Sequence, residues 1–452
     1  LTCPVPVPDA TQARQSAYTP RPPLGPAELL AKRERYLIPW TRHFYRDPPQ
    51  IVSGSLQYLF DHLGKRYLDC YAGVAAMNLG HSHPRVAAAA HRAADTLQHT
   101  TTIYLTQPIA DLAEALASVA PGDLRRSFFT TSGSEANEAA ALLAAHATSR
   151  REFLALQGSL HGRTKMAMSL TGLSFWRSDA APVGGVAFVP APSCYRCPFR
   201  ATYPSCDLAC ARAVEDVILT ATSREPAALI AEPIQGNGGI VDPPAGYFDV
   251  VKEILDRHGA LFIADEVQTG FGRTGRFFGM EHHGVVPDLM TVAKALGNGF
   301  PIGAVITRDD IAERSTRPGA STLGGSPFTA AVALAVLDCH REEDLAARAD
   351  RLGSLFKSRL LALKDEFPLL GDVRGRGLML GVELVRGGKE PAPEETDRLL
   401  EGLKERGVLA GKTGVFRNVL TFQPPLVIEE GDVDTATAAL RECLREEERS
   451  HT

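Results

Sequence analysis

No stretch of this chain approaches the ~18 consecutive apolar residues that a membrane-crossing helix needs, so none is expected. Neither sign of charge dominates. The 48 Lys and Arg nearly balance the 53 Asp and Glu, for a net charge of −5, which gives no electrostatic pull toward nucleic acid or an anionic bilayer. The opening residues, Leu1-Thr-Cys-Pro-Val-Pro-Val-Pro, have neither the charged start nor the apolar core of a secretory signal, and the expectation is a cytoplasmic protein. Internal repeats and low-complexity tracts are missing too. Of the eight cysteines, Cys3, Cys70, Cys339 and Cys443 are scattered and do not read as a disulfide framework. What is present is an ordinary globular composition, 44% hydrophobic over 452 residues, enough for one large core and a second, smaller one.

Residues 1 to about 50 are rich in Pro and Arg and read as an extended arm with a short helix near Ala27–Tyr36. Alternating apolar residues around a turn at Asp61–Gly64 predict a β-hairpin. From Pro84 to Ile306, helical patterns (Arg85–Leu97, Gln107–Val119, Glu135–Ala147, Gly246–His258) alternate with short β-rich runs. Those runs are Arg126–Thr130, Glu152–Leu156, Ala228–Ala231, Leu261–Ala264, Leu289–Val292 and Ile302–Thr307. Such alternation predicts an α/β fold, a mostly parallel sheet with helices on both faces. After Ser326, helices at Pro327–His340, Glu343–Lys364, Glu394–Glu405 and Asp432–Glu448 surround strands at Gly377–Leu384 and Val419–Phe422. They suit a smaller α+β domain. The expected division is 1–80 for arm and hairpin, 81–325 for the large domain and 326–452 for the small one.

Two residues carry the chemistry. Asp265 ends the apolar run Ala260-Leu-Phe-Ile-Ala-Asp, and Lys294 follows the run Leu289-Met-Thr-Val. An aspartate and a lysine at the carboxyl ends of buried strands are what a pyridoxal-phosphate (PLP) enzyme needs: the lysine for the Schiff base, the aspartate to keep the ring nitrogen protonated. A lysine partly desolvated at such a junction has a lowered pKa and becomes a nucleophile. The segment Phe129-Thr-Thr-Ser-Gly-Ser-Glu turns from strand into helix, where exposed N–H groups favour phosphate; a Ser132/Glu135 capping box alone also explains it. Glu232 ends a further β run, and Gln268 stands in the loop after Asp265, placed to donate to a ring hydroxyl.

These segments resemble the class III (subgroup II) PLP-dependent aminotransferases, of fold type I, over nearly the whole chain. The shared motifs run in order. They are Tyr67-Leu-Asp, Gly80-His-Ser-His-Pro, Ser132-Gly-Ser-Glu-Ala-Asn-Glu, His161-Gly-Arg-Thr, Ala231-Glu-Pro-Ile-Gln-Gly, Ala264-Asp-Glu-Val-Gln-Thr-Gly-Phe-Gly-Arg-Thr-Gly, Ala293-Lys and Gly371-Asp-Val-Arg-Gly-Arg-Gly. The arm, the Arg374 segment and the tail are most similar to the alanine–glyoxylate aminotransferase 2-like branch.

The resemblance implies PLP as cofactor and a ping-pong exchange of an amino group between an amino acid (alanine, glutamate or an ω-amino acid) and a 2-oxo acid. It implies Lys294 and Asp265 as catalytic residues, Gln268 on the ring's O3′, and Ser132, Gly133 and Ser134 at the phosphate with Thr322 of a neighbouring subunit. Leu160, His161 and Glu232 would complete the cofactor's surroundings. Arg374, with Arg376 as the weaker candidate, would grip a substrate carboxylate, and Glu232 would pair with Arg374 when no carboxylate is there. A homodimer with shared sites follows, extendable to a tetramer. The class also contains racemases, lyases and decarboxylating members, which remain the alternative.

Two departures stand out. Leu160 replaces the aromatic that stacks on the ring in the family, forgoing roughly 0.5–1.5 kcal/mol of aromatic contact. Gly324-Gly-Ser-Pro replaces the family's Gly-Gly-Asn-Pro. The remaining motif is Cys194, Cys197, Cys206 and Cys210, a C-x2-C half and a C-x3-C half whose readings are zinc, an iron–sulfur centre, disulfides or free thiols. Within it, Asp207–Arg212 reads as the start of a helix. His81, His83 and His161 read as loop-ordering residues around the cofactor, and no metal is expected on them.

Overall fold

The computed structural model describes residues 22–40 and 42–450; the first stretch of the expected arm, including Cys3, lies outside the described residues. The expected short helix forms at Pro26–Tyr36, led by a proline in its first turn, where a missing N–H costs nothing. It buries none of its residues.

Three strands follow: β1 (Ile51–Ser55), β2 (Tyr58–Asp61) and β3 (Arg66–Asp69). β2 and β3 make the expected hairpin. The large sheet has seven strands. They are β4 (Arg126–Thr130), β5 (Phe153–Leu156), β6 (Val186–Val189), β7 (Ala228–Ala231), β8 (Leu261–Asp265), β9 (Leu289–Val292) and β10 (Gly303–Thr307), in the order β4-β10-β9-β8-β7-β5-β6. Neighbours from β6 through β9 pair in parallel, while β10 runs antiparallel to both β9 and β4. Every residue of β5, β7, β9 and β10 is buried, which is why these strands read as unbroken apolar runs: both faces are covered.

The period of two divides the side chains between the faces. Leu154, Leu156, Leu229, Ala231 and Phe262 pack under the helices Ala209–Ala221 and Tyr247–His258. Phe153, Ala155, Ala228, Ile230 and Ile263 pack against the Gly133–Thr148 helix, whose buried positions are nearly all alanine and so let it lie close to the sheet.

The chain's last third forms β11 (Leu370–Arg376), β12 (Met379–Arg386), β13 (Glu390–Pro391), β14 (Val408–Leu409), β15 (Gly411–Thr413) and β16 (Val419–Phe422). β11, β12, β16 and β15 make an antiparallel sheet in that order. The single strand expected at Gly377–Leu384 is thus the second arm of a hairpin. Gly375 and Gly377, with positive φ angles of 110° and 52°, are built into the end of β11 and the turn after it. β14 pairs in parallel with β3, so the chain's beginning and end share one sheet, and Leu68, Leu79 and Val86 sit in one core with Leu400, Leu420 and Leu440.

Candidate active site

β4, β5, β7, β8 and β9 point the same way, and each delivers a residue singled out above at or just past its carboxyl end: Ser132, Leu160 with His161, Glu232, Asp265 and Lys294. The carboxyl edge of a parallel sheet is where backbone groups run out of ladder partners and where ligands bind in open α/β folds.

Asp265 is the best-braced group there. It is 3% exposed. Its Oδ2 accepts a hydrogen bond from Asn137 Nδ2 at 2.7 Å and pairs with His161 Nδ1 at 2.7 Å, while Oδ1 accepts from the Val267 N–H at 3.1 Å. Asn137 Nδ2 also donates to the His161 carbonyl at 2.7 Å, and Asn137 Oδ1 accepts from Thr291 Oγ1 at 2.6 Å. The carboxylate is therefore locked from one side, leaving Oδ1 with only a long backbone contact.

Sequence reasoning assigned no role to Asn137 or Thr291. The available signal was a lone amide on the alanine-rich face of a helix, which costs stability unless it is hydrogen-bonded.

Lys294 opens a short turn after β9 with φ of 45°, a left-handed conformation that costs an L residue roughly 1–2 kcal/mol. Among the described residues its Nζ makes no hydrogen bond or ion pair. Desolvation of the amine pushes its pKa below the ordinary lysine value, against Asp265 and Glu232, whose charges pull it up. The expected nucleophilic amine is thus physically grounded.

Glu232 is buried, and its two oxygens accept from the Leu160 N–H at 3.0 Å and the Gly236 N–H at 2.9 Å. Desolvation raises its pKa to about 7, with His161 lowering it and Asp265 raising it further. The sign for stability follows. Between pH 4.5 and about 7 the folded chain holds a proton on Glu232 that the unfolded chain has lost, so this group's contribution to stability falls as pH rises through that window. Glu266, also raised to about 7 by burial, acts in the same direction. His282, His283 and His340, lowered mainly by burial, act the opposite way over this range, so the test is the difference from wild type. Glu232→Gln is expected to lose the falling contribution, its urea midpoints on apo-protein rising with pH relative to wild type; an unchanged pH dependence would refute the assignment.

The turn into the Gly133–Thr148 helix is capped as the sequence suggests, with one shift. Ser132 Oγ accepts from the Glu135 N–H at 3.3 Å, but the Glu135 carboxylate closes onto Thr131, taking its N–H and hydroxyl at 2.7 Å each. Gly133 is a close-approach position, because a Cβ there would lie 2.7 Å from Val267 in the loop after Asp265. Ser134 Oγ accepts from the Arg163 N–H at 3.1 Å. Thr322 is exposed and makes no side-chain hydrogen bond among the described residues.

The expected Glu232–Arg374 pair is not formed. Arg374 Nη1 instead meets Asp372 at 2.8 Å and Glu383 at 2.7 Å, and its Nε donates to the Gly239 carbonyl at 2.8 Å. The reason is local: Arg374 and Glu383 lie on adjacent strands of the β11–β12 hairpin, and Glu383 is 2% exposed, so the strands bring a buried carboxylate to the guanidinium. A substrate carboxylate at Arg374 would have to displace it. Arg376 is likewise engaged, with Asp242 at 2.9 Å. The three histidines stand apart, His81 on Asp69, His83 facing Glu343 and His161 on Asp265.

The residues present fit PLP by the polar atoms they leave unmatched. His161 Nε2 and Gln268 Oε1 are buried without partners, and a bare Gly236 makes the room for Gln268, since a Cβ there would overlap its Oε1 at 1.4 Å. Buried polar atoms in native proteins are nearly always satisfied, so such orphans mark a place for a polar ligand.

Comparison with known proteins agrees. Residues 48–444 match the family model "Aminotransferase class-III". The chain is 44% identical over 439 residues, 96% of its length and 91% of the relative's, to alanine–glyoxylate aminotransferase 2 homolog 2, mitochondrial, of Arabidopsis thaliana. It is 40% identical to the leucine/methionine racemase of Thermococcus litoralis, over 93% of this chain and 96% of that one. An amine transaminase from an uncultivated Pseudomonas species, solved with PLP bound, superposes with a TM-score of 0.86 at 31% identity, covering 91% of this chain and 98% of that one. The mitochondrial name of the Arabidopsis relative overturns the cytoplasmic expectation, which rested only on the character of the first few residues. With a family model spanning most of its length and a PLP-binding neighbour of the same fold, the chain belongs to the class-III aminotransferases and is a PLP-dependent transaminase.

Proposed function

We propose that the protein transfers the amino group of alanine, glutamate or an ω-amino acid to a small 2-oxo acid such as glyoxylate, at a site centred on Lys294 and Asp265. The observation that carries this reading is the pairing of a desolvated, unbonded Lys294 amine with an Asp265 carboxylate braced by Asn137 and His161. Bound PLP supplies an aldehyde that takes up the amino group and a cationic ring that draws electrons from the substrate Cα.

The chain does the rest. Lys294 holds the cofactor covalently between turnovers and moves the proton to and from the substrate Cα. Asp265 keeps the ring nitrogen protonated, and Gln268 contacts the ring hydroxyl. Ser132, Gly133 and Ser134 receive the phosphate at the start of a sixteen-residue helix, whose N–H groups favour an anion. Leu160, His161 and Glu232 line the ring.

Thr322 of a second copy completes the phosphate site. That role and the exposed apolar side chains Ile103, Tyr104, Leu105 and Leu323 support a homodimer. The division into 1–80, packing with the small domain, 81–325 and 326–452 is part of the same proposal, supported by the seven-stranded sheet lying wholly within 81–325 and by β3 pairing with β14.

The choice of glyoxylate and alanine rests on the name of the Arabidopsis relative. Single amino acids added to the PLP-loaded protein without an oxo acid test it. The expected donor converts the cofactor to its amine form, and glyoxylate or pyruvate restores the starting spectrum. Inverted configuration of the amino acid with no amine form would instead favour racemisation, the activity named for the Thermococcus relative.

Arg374 is left out of the proposed substrate contacts because Glu383 already occupies it. Arg374→Ala is expected to lower Tm, leaving the buried Glu383 with Arg196 as its remaining ion-pair partner, and to change the KM for the amino donor less than about tenfold. A rise in KM of about a hundredfold or more at unchanged Tm would restore the carboxylate-gripping role.

A further inference from the structure

One motif has no part in this chemistry. Cys194, Cys197, Cys206 and Cys210 all line a single small cavity beside Pro198, Phe199 and Tyr203. The cavity is about 20 Å³, room for one small ion or one water. All four thiols are free; Cys194 is exposed and the other three are partly buried.

The backbone brings the two halves together by different means. The Arg200 N–H bonds back to the Cys197 carbonyl at 3.0 Å, closing a turn directly after the C-x2-C half. The Cys206 N–H bonds to the Thr202 carbonyl at 3.0 Å, and Cys210 stands four residues further on, in the first turn of the Ala209–Ala221 helix. Arg200, Asp207 and Leu208 all hold left-handed backbone angles, so three non-glycine residues accept strain to shape this loop.

We propose that these four cysteines bind one zinc ion. An all-sulfur donor set selects a soft or borderline metal over calcium or magnesium, and four thiolates close a tetrahedral structural site. No three of the sulfurs lie within 4.8 Å of one another; among the described residues only His83, Cys339 and Glu343 bring three ligand atoms that close. That second group is less suited, because His83 Nε2 already faces Glu343 at 3.5 Å. Around zinc, Zn–S bonds of about 2.3 Å require sulfurs about 3.8 Å apart, so the loop side chains must turn inward as the ion binds. Binding exchanges thiol protons for the ion as the thiolates form.

The consequence reaches a second, larger cavity. The loop from Ser193 to Tyr203 walls a cavity of about 1210 Å³ that Arg374, Glu383 and Gln235 also line. Arg196, between the first two cysteines, pairs with Glu383, and Lys389 Nζ donates to the Tyr195 carbonyl at 2.6 Å. A zinc ion behind this loop fixes the position of Arg196 and, through Glu383, of Arg374.

The test is metal content of the full-length, PLP-loaded protein, grown with zinc and purified reduced without chelator. About one zinc per chain is expected, falling to about a tenth or less in C206S/C210S, with PLP content and the zinc of a C443S control unchanged. Cobalt added to chelator-treated wild type is expected to give the absorption of a tetrahedral thiolate site, a readout that stands even if the double variant does not fold. Zinc no higher in wild type than in C206S/C210S overturns the proposal, as does iron with acid-labile sulfide, an unreduced mass short by two hydrogens per disulfide, or a cobalt spectrum without thiolate bands.

Discussion

Lys294→Ala is expected to lower turnover by at least about 10⁴-fold, the scale of losing a covalent group that no neighbour can replace. Glu232 and Asp265 are carboxylates, and Arg273, the other cation acting on Lys294, is fully buried with its guanidinium spent on the Leu378 carbonyl at 2.9 Å and Asn78 at 2.6 Å. None of these neighbours offers a second amine. Stability is expected to move the other way or not at all. The Lys294 amine is desolvated with no hydrogen bond, so its removal leaves no partner unsatisfied and relieves a desolvated charge. Borohydride treatment of PLP-loaded protein followed by peptide mass measurement reads the covalent link directly. The link is expected on the peptide containing Lys294 and absent from the variant. A surviving adduct, or turnover within tenfold of wild type at equal PLP content, would sink the assignment.

The second large effect belongs to Asp265→Asn. This change preserves shape and removes the charge proposed to face the ring nitrogen. Breaking a buried ion pair by neutralising one member costs about 3–5 kcal/mol. At about 1.4 kcal/mol per decade, kcat is expected to fall roughly 10²–10⁴-fold. The bracing predicts a further detail. An asparagine amide can offer only one oxygen, while His161 and Asn137 both address Oδ2 and Val267 donates to Oδ1. The amide oxygen should therefore settle toward His161 and Asn137, turning the NH₂ toward the ring, where it cannot accept a hydrogen bond from a protonated nitrogen. Asn137→Ala should produce a weaker version of the same loss, because His161 still holds Oδ2. Turnover measured at saturating PLP, with cofactor affinity measured separately, distinguishes the two variants. Near-normal kcat in Asp265→Asn would mean that the ring nitrogen has another partner.

Much of this was written locally. The runs ending at Asp265 and Lys294 are short and apolar, and β7, β8 and β9 fall where such runs predict, because a strand buried on both faces leaves little ambiguity about its length. The capped turn at Ser132 is likewise a local matter of a few side chains and N–H groups. The helix after Asp207 was read only at its start, although Leu208, Ala211, Val214 and Ile218 recur at helical spacing through to Ala221 and pack with Tyr247–His258.

Local patterning was enough to say which residues gather at the carboxyl edge of the sheet, because strand order along the chain and the right-handed parallel connections leave few ways to arrange them. The cofactor chemistry came from the ordered motifs around Asp265 and Lys294, since a lysine and an aspartate at strand ends, taken alone, are more often a solvated amine and a loop cap. Contacts between residues far apart along the chain came instead from packing. Asn137 and His161 converge on Asp265 across 128 and 104 residues, and β14 joins β3 across most of the chain. Arg374 is claimed by Glu383 instead of Glu232 because the register of an antiparallel hairpin, invisible in either residue alone, sets the two side chains together. Charge and residue type state what a side chain can pair with. Which partner it finds depends on how distant segments fold against one another.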